Sequence, residues 1–245
     1  MVFNKKKKSK INSFVPKIIV GQKHGESESY YRLKDNILYY SDNGKNKVFQ
    51  VESSISGEGK STVIINLAVA LAKSGKKVCL LDLDFRRPQI HRAFEIVNVN
   101  GIAEYMLDEC SKEELIKTTP YGVDVLNRGK ATQNASIIFT SDKFKDLISS
   151  LKEKYDIVLF DCPPVLMVSD YIHISKISDA VIFVVCAGFT IRNHCKEAIE
   201  LLKRNGVKIL GTVVTYKNLR KISSKYGKYY GGRYYRGVKD NYLSD

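Results

Sequence analysis

The sequence predicts an α/β fold: a mostly parallel sheet with helices on both faces. Three observations lead there. The runs "KVCLLDLD" (77–84), "DIVLFD" (156–161) and "DAVIFVVC" (179–186) are nearly continuous and apolar, as strands buried on both faces are. Helical stretches fall between such runs, and strands alternating with helices imply parallel connections. A glycine-rich turn, "SSISGEGKST", joins the first strand to the first long helix.

In chain order, residues 1–25 are basic and lack apolar periodicity, so they read as an arm. Tyr30, Leu33, Ile37 and Tyr40 in "ESYYRLKDNILYYS" stand at helical spacing, which predicts a short amphipathic helix over 28–41. "KVFQVES" (47–53) is a strand, and residues 59–75 are a helix stopped by Gly75. "GVDVLN" (122–127) and "KILGTVVT" (208–215) repeat the buried-strand signature. Further helices are predicted near 86–96, 111–117, 141–153 and 190–204, and no internal repeat is present. The organisation that follows is a basic arm (1–25), one nucleotide-binding domain (26–222) and a flexible tyrosine-rich tail (223–245).

With 245 residues and 44% hydrophobic content, the chain suits one large domain plus tails. No apolar run reaches the roughly 18–20 residues that span a bilayer. No apolar region follows "KKKKSK" as a secretory signal requires. The expectation is a cytoplasmic protein, or one held at the inner face of a membrane. Cys79, Cys110, Cys162, Cys186 and Cys195 form no CxxC pair, and Cys79, Cys162 and Cys186 read as reduced core residues. The net charge is +14. Much of it sits on Lys5, Lys6, Lys7, Lys8 and Lys10 and, at the other end, on Arg220, Lys221, Lys225, Lys228, Arg233, Arg236 and Lys239. Such ends suit acidic lipid, an acidic protein surface or nucleic acid, or simply keep the chain soluble.

The turn after the first strand has the context of a phosphate loop: strand, glycines, helix N-terminus. Ser56, Gly57, Glu58, Gly59, Lys60, Ser61 and Thr62 are the nucleotide-binding candidates. Gly57 and Gly59 let backbone amides wrap a phosphate, and the helix adds free N–H groups and a positive dipole end. Lys60 reaches the β- and γ-phosphates, Ser61 ligates Mg²⁺ and Thr62 reaches the α-phosphate. In GxxxxGK[ST] the first glycine position is Ser54, a departure that leaves the Lys-Ser cradle intact.

Two acidic elements join it. In "LLDLDFRRP", Asp82 and Asp84 end a buried strand. In "IVLFDCPP", Asp161 ends another, a place from which an aspartate holds Mg²⁺ through water. Ligands of open α/β sheets bind beyond these strand ends. Buried carboxylates there need a cation or a reacting proton. The fold class is therefore a P-loop NTPase of deviant Walker type, with a nucleotide and Mg²⁺ expected at this edge. Lys60, Asp82 and Asp84 are the catalytic candidates; Ser61, Asp82 and Asp161 are the metal candidates.

"GEGKST", "LLDLDFRRP" and "DIVLFDCPP", followed by a tyrosine-rich end, resemble the bacterial tyrosine kinases. More narrowly, they resemble the free-standing cytoplasmic kinases of capsule and exopolysaccharide synthesis. The resemblance runs from about residue 28 to the end. It implies transfer from ATP–Mg²⁺ to tyrosines of the chain's own tail, between subunits of a ring. The candidates are Tyr226, Tyr229, Tyr230, Tyr234, Tyr235 and Tyr242. It implies Asp82 or Asp84 as the base for the tyrosine hydroxyl. It also implies a membrane chain-length regulator whose cytoplasmic tail activates the kinase, a cognate tyrosine phosphatase, and no nucleic acid.

The sequence departs from the family in four places. Ser54 is one. The family's Glu-Arg-Arg subunit-contact motif corresponds to Glu28, Tyr31 and Lys34, with Arg32 one place off. The proline-rich loop becomes "GKATQNASIIF" without prolines. The adenine-side asparagine position is Thr215, with Asn218 nearby. Other readings are a partition or division-site ATPase, a nucleotide-binding adaptor of a polysaccharide export complex, and a tail that stacks nucleic-acid bases. The first of these carries an early P-loop lysine, whereas Ile55 or Ser56 stands at that position here.

Overall fold

The computed structural model describes residue 18 and residues 26–132 and 135–216. The N-terminal lysines, Gln133 and Asn134 of the altered loop, Asn218 and all of the tail tyrosines from Tyr226 to Tyr242 lie outside the described residues.

The elements are α1 (Glu26–Ser41), β1 (Val48–Ser53), α2 (Lys60–Lys73), β2 (Val78–Asp82), α3 (Ile90–Ala93), α4 (Ile102–Met106) and α5 (Lys112–Leu115). They continue with β3 (Lys117–Thr118), β4 (Val123–Leu126), α6 (Ala135–Thr140), α7 (Asp142–Lys154), β5 (Ile157–Asp161), α8 (Asp170–Ser175), β6 (Ala180–Ala187), α9 (Arg192–Arg204) and β7 (Ile209–Tyr216). The strands form one seven-stranded sheet in the order β3-β4-β2-β5-β1-β6-β7. Every pairing is parallel except β3 on β4.

Alternation along the strands sends side chains to two cores. Val78 and Leu80 of β2 and Ile157 and Leu159 of β5 join Phe49, Val51 and the whole apolar body of α2 on one face. Cys79, Leu81, Val158 and Phe160 join Phe144, Leu147, Ile148 and Leu151 of α7 on the other. Leu67, Ile64, Ile65 and Leu71 of α2 are fully buried, and each such side chain stabilises the fold by about 1.5–3 kcal/mol. That burial overrides the weak helix preference of the β-branched Val63, Ile64, Ile65 and Val69. At the N-terminus of α7, the Phe144 amide donates to Ser141 Oγ at 3.2 Å, an ordinary serine cap.

The structure corrects some of the expectations. The helix expected over 86–96 is only Ile90–Ala93, because the preceding amides are taken by carboxylates. Arg86 and Arg87 donate to Asp84 Oδ1 at 3.2 and 3.0 Å, and Gln89 and Ile90 donate to Asp82 Oδ2 at 3.0 and 3.1 Å. The helix at 111–117 stops at Leu115, since Lys117 and Thr118 pair with β4. The "KILGTVVT" run is a strand but lies at the sheet edge, with Gly211, Thr212, Val214 and Tyr216 exposed. Short α4, α6 and α8 have too few turns to show a period. Cys79, Cys162 and Cys186 are free and buried, as expected, while Cys110 and Cys195 are free and half-buried.

Candidate active site

The sheet order places β1 between β5 and β6, with β2 on the far side of β5. The loop after β1 therefore meets the ends of β2 and β5 at one carboxyl edge. In this register Asp82 pairs with Asp161, and Val51 pairs with Asp161 from the other side. The three acidic and basic motifs of the sequence thus converge.

The P-loop backbone needs its glycines. Gly57 has φ +87° and Gly59 has φ +99°, a left-handed region that favours glycine. Gly59 precedes α2, and its carbonyl accepts the Val63 amide at 2.9 Å. Lys60 and Ser61 then open the helix, where unpaired N–H groups face an incoming anion. Lys60 is only 6% exposed, so its ammonium is held within the site rather than in bulk water.

Ser61 Oγ donates to Asp161 Oδ2 at 2.7 Å. The other oxygen of Asp161, and Oδ1 of Asp82, are buried without a hydrogen-bond partner. Burial pushes the Asp161 carboxyl up to about 6, although Lys60 and Ser61 pull it down. Burial also pushes Asp82 well up, and the facing Asp161 adds to it. Two orphaned oxygens and a hydroxyl at one sheet edge suit a hard divalent cation, which takes few protein oxygens and completes its shell with phosphate and water. Among the described residues, no three or more His, Cys, Asp or Glu side chains group as a metal site by themselves. Asp84 stands half-buried beside this pair, with Oδ1 engaged in the Arg86–Arg87 turn.

Several partners were not read from the sequence. Ser54, at the missing first glycine, is fully buried and donates to the Glu58 carboxylate at 2.8 and 2.9 Å. The Ile55 amide also donates to Glu58 Oε2, at 2.9 Å. The Glu58 side chain is thus occupied within the loop, and only its backbone is offered to a phosphate. Thr215, where the resemblance leads one to expect the adenine-side asparagine, donates to the Glu58 carbonyl at 2.6 Å. Glu52 lies fully buried beneath the loop; burial pushes its carboxyl well up, opposed by the Lys60 charge and a Cys162 hydrogen bond. Arg86 Nη2 lies 3.7 Å from the buried Asp170 at the start of α8, joining the β2 and β5 loops.

Glu28, Tyr31 and Lys34, the positions expected to match a subunit-contact motif, are engaged within α1. Glu28 pairs with Arg32 at 3.4 Å, and Lys34 pairs with Asp35 at 2.7 Å with its ammonium over the Tyr31 ring.

A parallel sheet with a phosphate loop at its switch point and paired aspartates at the neighbouring strand ends defines a P-loop nucleotide-binding protein. Residues 46–205 match the family model described as an AAA domain. The tyrosine-protein kinase YwqD of Bacillus subtilis (strain 168) is 34% identical over 218 residues, covering 89% of each chain. The crystal structure of the chimerical protein CapA2B2 superposes with a TM-score of 0.77 at 32% identity, covering 82% of this chain and 89% of that one. The septum site-determining protein MinD of Pyrococcus horikoshii OT3, complexed with Mg-ADP, superposes with a TM-score of 0.58 at 26% identity, over 69% of each chain. The chain belongs to the bacterial tyrosine-protein kinase family, and it is a protein-tyrosine kinase.

Proposed function

We propose that this kinase transfers the γ-phosphoryl group of ATP to tyrosines in its own C-terminal cluster, and thereby regulates capsular or extracellular polysaccharide synthesis and chain length. The observation that carries the nucleotide site is the meeting of Ser61, Asp161 and Asp82 beside the buried Lys60. Ser56, Gly57, Glu58 and Gly59 supply backbone to the phosphates, Lys60 its charge to the β- and γ-oxygens, and Thr62 its hydroxyl to the α-phosphate. Ser61, Asp82 and Asp161 hold Mg²⁺, which when bound neutralises charge on the phosphates.

Phosphoryl transfer asks mainly for positioning and charge neutralisation. The bond from the γ-phosphorus to the bridging oxygen breaks, and a bond to the tyrosine oxygen forms. The phenol proton, near pKa ~10, needs an acceptor. Asp82 is fully buried and accepts the Gln89 and Ile90 amides, whereas Asp84 is only half-buried at the strand mouth, with Oδ1 accepting the Arg86 and Arg87 amides. Asp84 therefore takes the proton, leaving ADP and phosphotyrosine.

The acceptors are Tyr226, Tyr229, Tyr230, Tyr234, Tyr235 and Tyr242, on a segment whose glycines give reach. The kinase domain spans 26–222, between the basic arm and the tail, and works in the cytoplasm. It is recruited to the inner face of the membrane by the cytoplasmic tail of a chain-length regulator. It assembles with copies of itself in a ring, is reset by a tyrosine phosphatase and binds no nucleic acid. No helix among the described residues is long and apolar enough to cross a membrane, which is compatible with recruitment through a partner.

The test is incubation with labelled ATP and Mg²⁺, with and without a peptide of the candidate activator's cytoplasmic tail. Phosphotyrosine that rises with the peptide is expected. Nucleotide binding with no phosphotyrosine in either case would make the chain an adaptor.

A further inference from the structure

The P-loop is braced from one side by groups with no place in the nucleotide cradle. The centre of the brace is the Glu58 carboxylate, which is 1% exposed. Ser54 Oγ donates to both of its oxygens, at 2.8 and 2.9 Å, and the Ile55 amide donates to Oε2 at 2.9 Å. Thr190 Oγ1, from the loop between β6 and α9, donates to Oε1. The same Thr190 oxygen accepts the Cys186 amide at 2.8 Å, which ties it to the end of β6. The Glu58 carbonyl accepts Thr215 Oγ1 of β7 at 2.6 Å. The Phe189 ring lies 3.7 Å from where a Gly57 Cβ would stand.

From these contacts we infer that Glu58 is a positioning residue. Together with Ser54, Thr190 and Thr215 it holds the P-loop amides in their phosphate-binding form before nucleotide arrives, and it couples the loop to the ends of β6 and β7. This inference rests on the nucleotide-site reading above. Its physical basis is conformational. A loop with two left-handed glycines has many open alternatives, and glycine loses more freedom on ordering than any other residue. A buried carboxylate that accepts from several donors selects one arrangement, because leaving those donors unpaired in the interior is expensive. Ser54 then has a reason to replace glycine: it supplies the hydroxyl nearest the carboxylate within the loop itself. Pre-ordering of this kind raises affinity by reducing what must be ordered on binding.

Glu58→Gln keeps the size but turns an amide donor toward a set of donors. Thr190→Val keeps the shape and removes the hydroxyl, and Thr190→Ser retains it. The experiment measures Mg-ADP affinity by calorimetry on the full-length chain, and hydrogen exchange of the 54–61 amides without nucleotide. We expect Glu58→Gln and Thr190→Val each to weaken Mg-ADP about tenfold or more and to speed exchange across 54–61. The double variant should be no worse than Glu58→Gln alone, and Thr190→Ser should restore wild-type values. A purely structural role would lower the melting temperature but leave the affinity of the folded protein and loop exchange at wild-type levels; that result overturns the inference, as do fully additive losses. If wild type binds no Mg-ADP, the nucleotide reading falls. The exchange comparison then still decides the brace.

Discussion

Asp82 and Asp161 stand directly opposite each other across the parallel pair of β2 and β5, both buried, each with one oxygen lacking a hydrogen-bond partner. Like charges so placed are unfavourable in a low-dielectric interior unless a proton or a cation comes between them. Ser61 and Lys60, from the loop that follows β1, are the groups that meet this pair.

A stability profile follows from the raised carboxyls. Burial lifts Asp161 to about 6 from an ordinary 3.8, and Asp82 is also raised. Between those values the folded state holds protons that the unfolded state has released, so stability falls as pH rises from about 4 through 6. Asp161→Asn removes one charge while its amide oxygen can still accept from Ser61. The nucleotide-free variant should gain on the order of 3 kcal/mol at pH 7 relative to wild type, with the gain vanishing below about pH 4. Denaturant midpoints at pH 4, 5, 6 and 7 check this. For wild type, Mg-ADP binding should release protons and tighten from pH 5 to pH 7.

Asp179 Oδ2 accepts the Lys47 and Val48 amides at 2.7 and 2.8 Å, and the Asp179 amide donates to the Val48 carbonyl at 2.8 Å. The side chain staples the start of β6 to the start of β1. Asp179→Ala leaves two strand-end amides without their acceptor and should destabilise by about 2 kcal/mol. For a chain of this size that is a melting-point drop of roughly 4–8 °C. The staple sits at the opposite end of β1 from the P-loop, so Mg-ADP affinity should be unchanged. Thermal melts paired with calorimetry read both quantities.

Each phosphate adds about −1.5 to −2 charges near neutral pH. Several of them on the tail would offset Arg220, Lys221, Lys225, Lys228, Arg233, Arg236 and Lys239, and subunit contacts should loosen. Sedimentation of phosphorylated and unmodified protein at equal concentration should show a smaller species after phosphorylation. Identical profiles would remove this switch.

Much of the fold was legible in the chain because its signals are strong. The buried strands β2, β5 and β6 are continuous apolar runs, and α2 is long with a glycine at each end. What was not legible depended on tertiary partners. The helix expected over 86–96 lost its first turn to the carboxylates of Asp82 and Asp84, which compete for the same amides. The β7 run looks like a central strand, but its place in the sheet is set by which neighbour it meets, and period alone does not carry that. Within the site, Lys60, Ser61, Asp82, Asp84 and Asp161 could be found because they follow a strand or a glycine turn. The Ser54–Glu58–Thr190 brace spans 132 residues between Glu58 and Thr190, and no local pattern marks it.

In the proposed reaction this P-loop delivers phosphate to the tail tyrosines. The most direct measurement mixes two full-length chains with labelled ATP, Mg²⁺ and the peptide of the candidate activator's cytoplasmic tail. One carries Lys60→Met with its tyrosines intact. The other is wild type in the P-loop with Phe at 226, 229, 230, 234, 235 and 242. Label is expected on the Lys60→Met chain, in peptides from the 226–242 segment, and not when that chain is incubated alone. Label on the Lys60→Met chain alone, or on neither chain while both remain folded and the Lys60-bearing chain binds Mg-ADP, would contradict the claim.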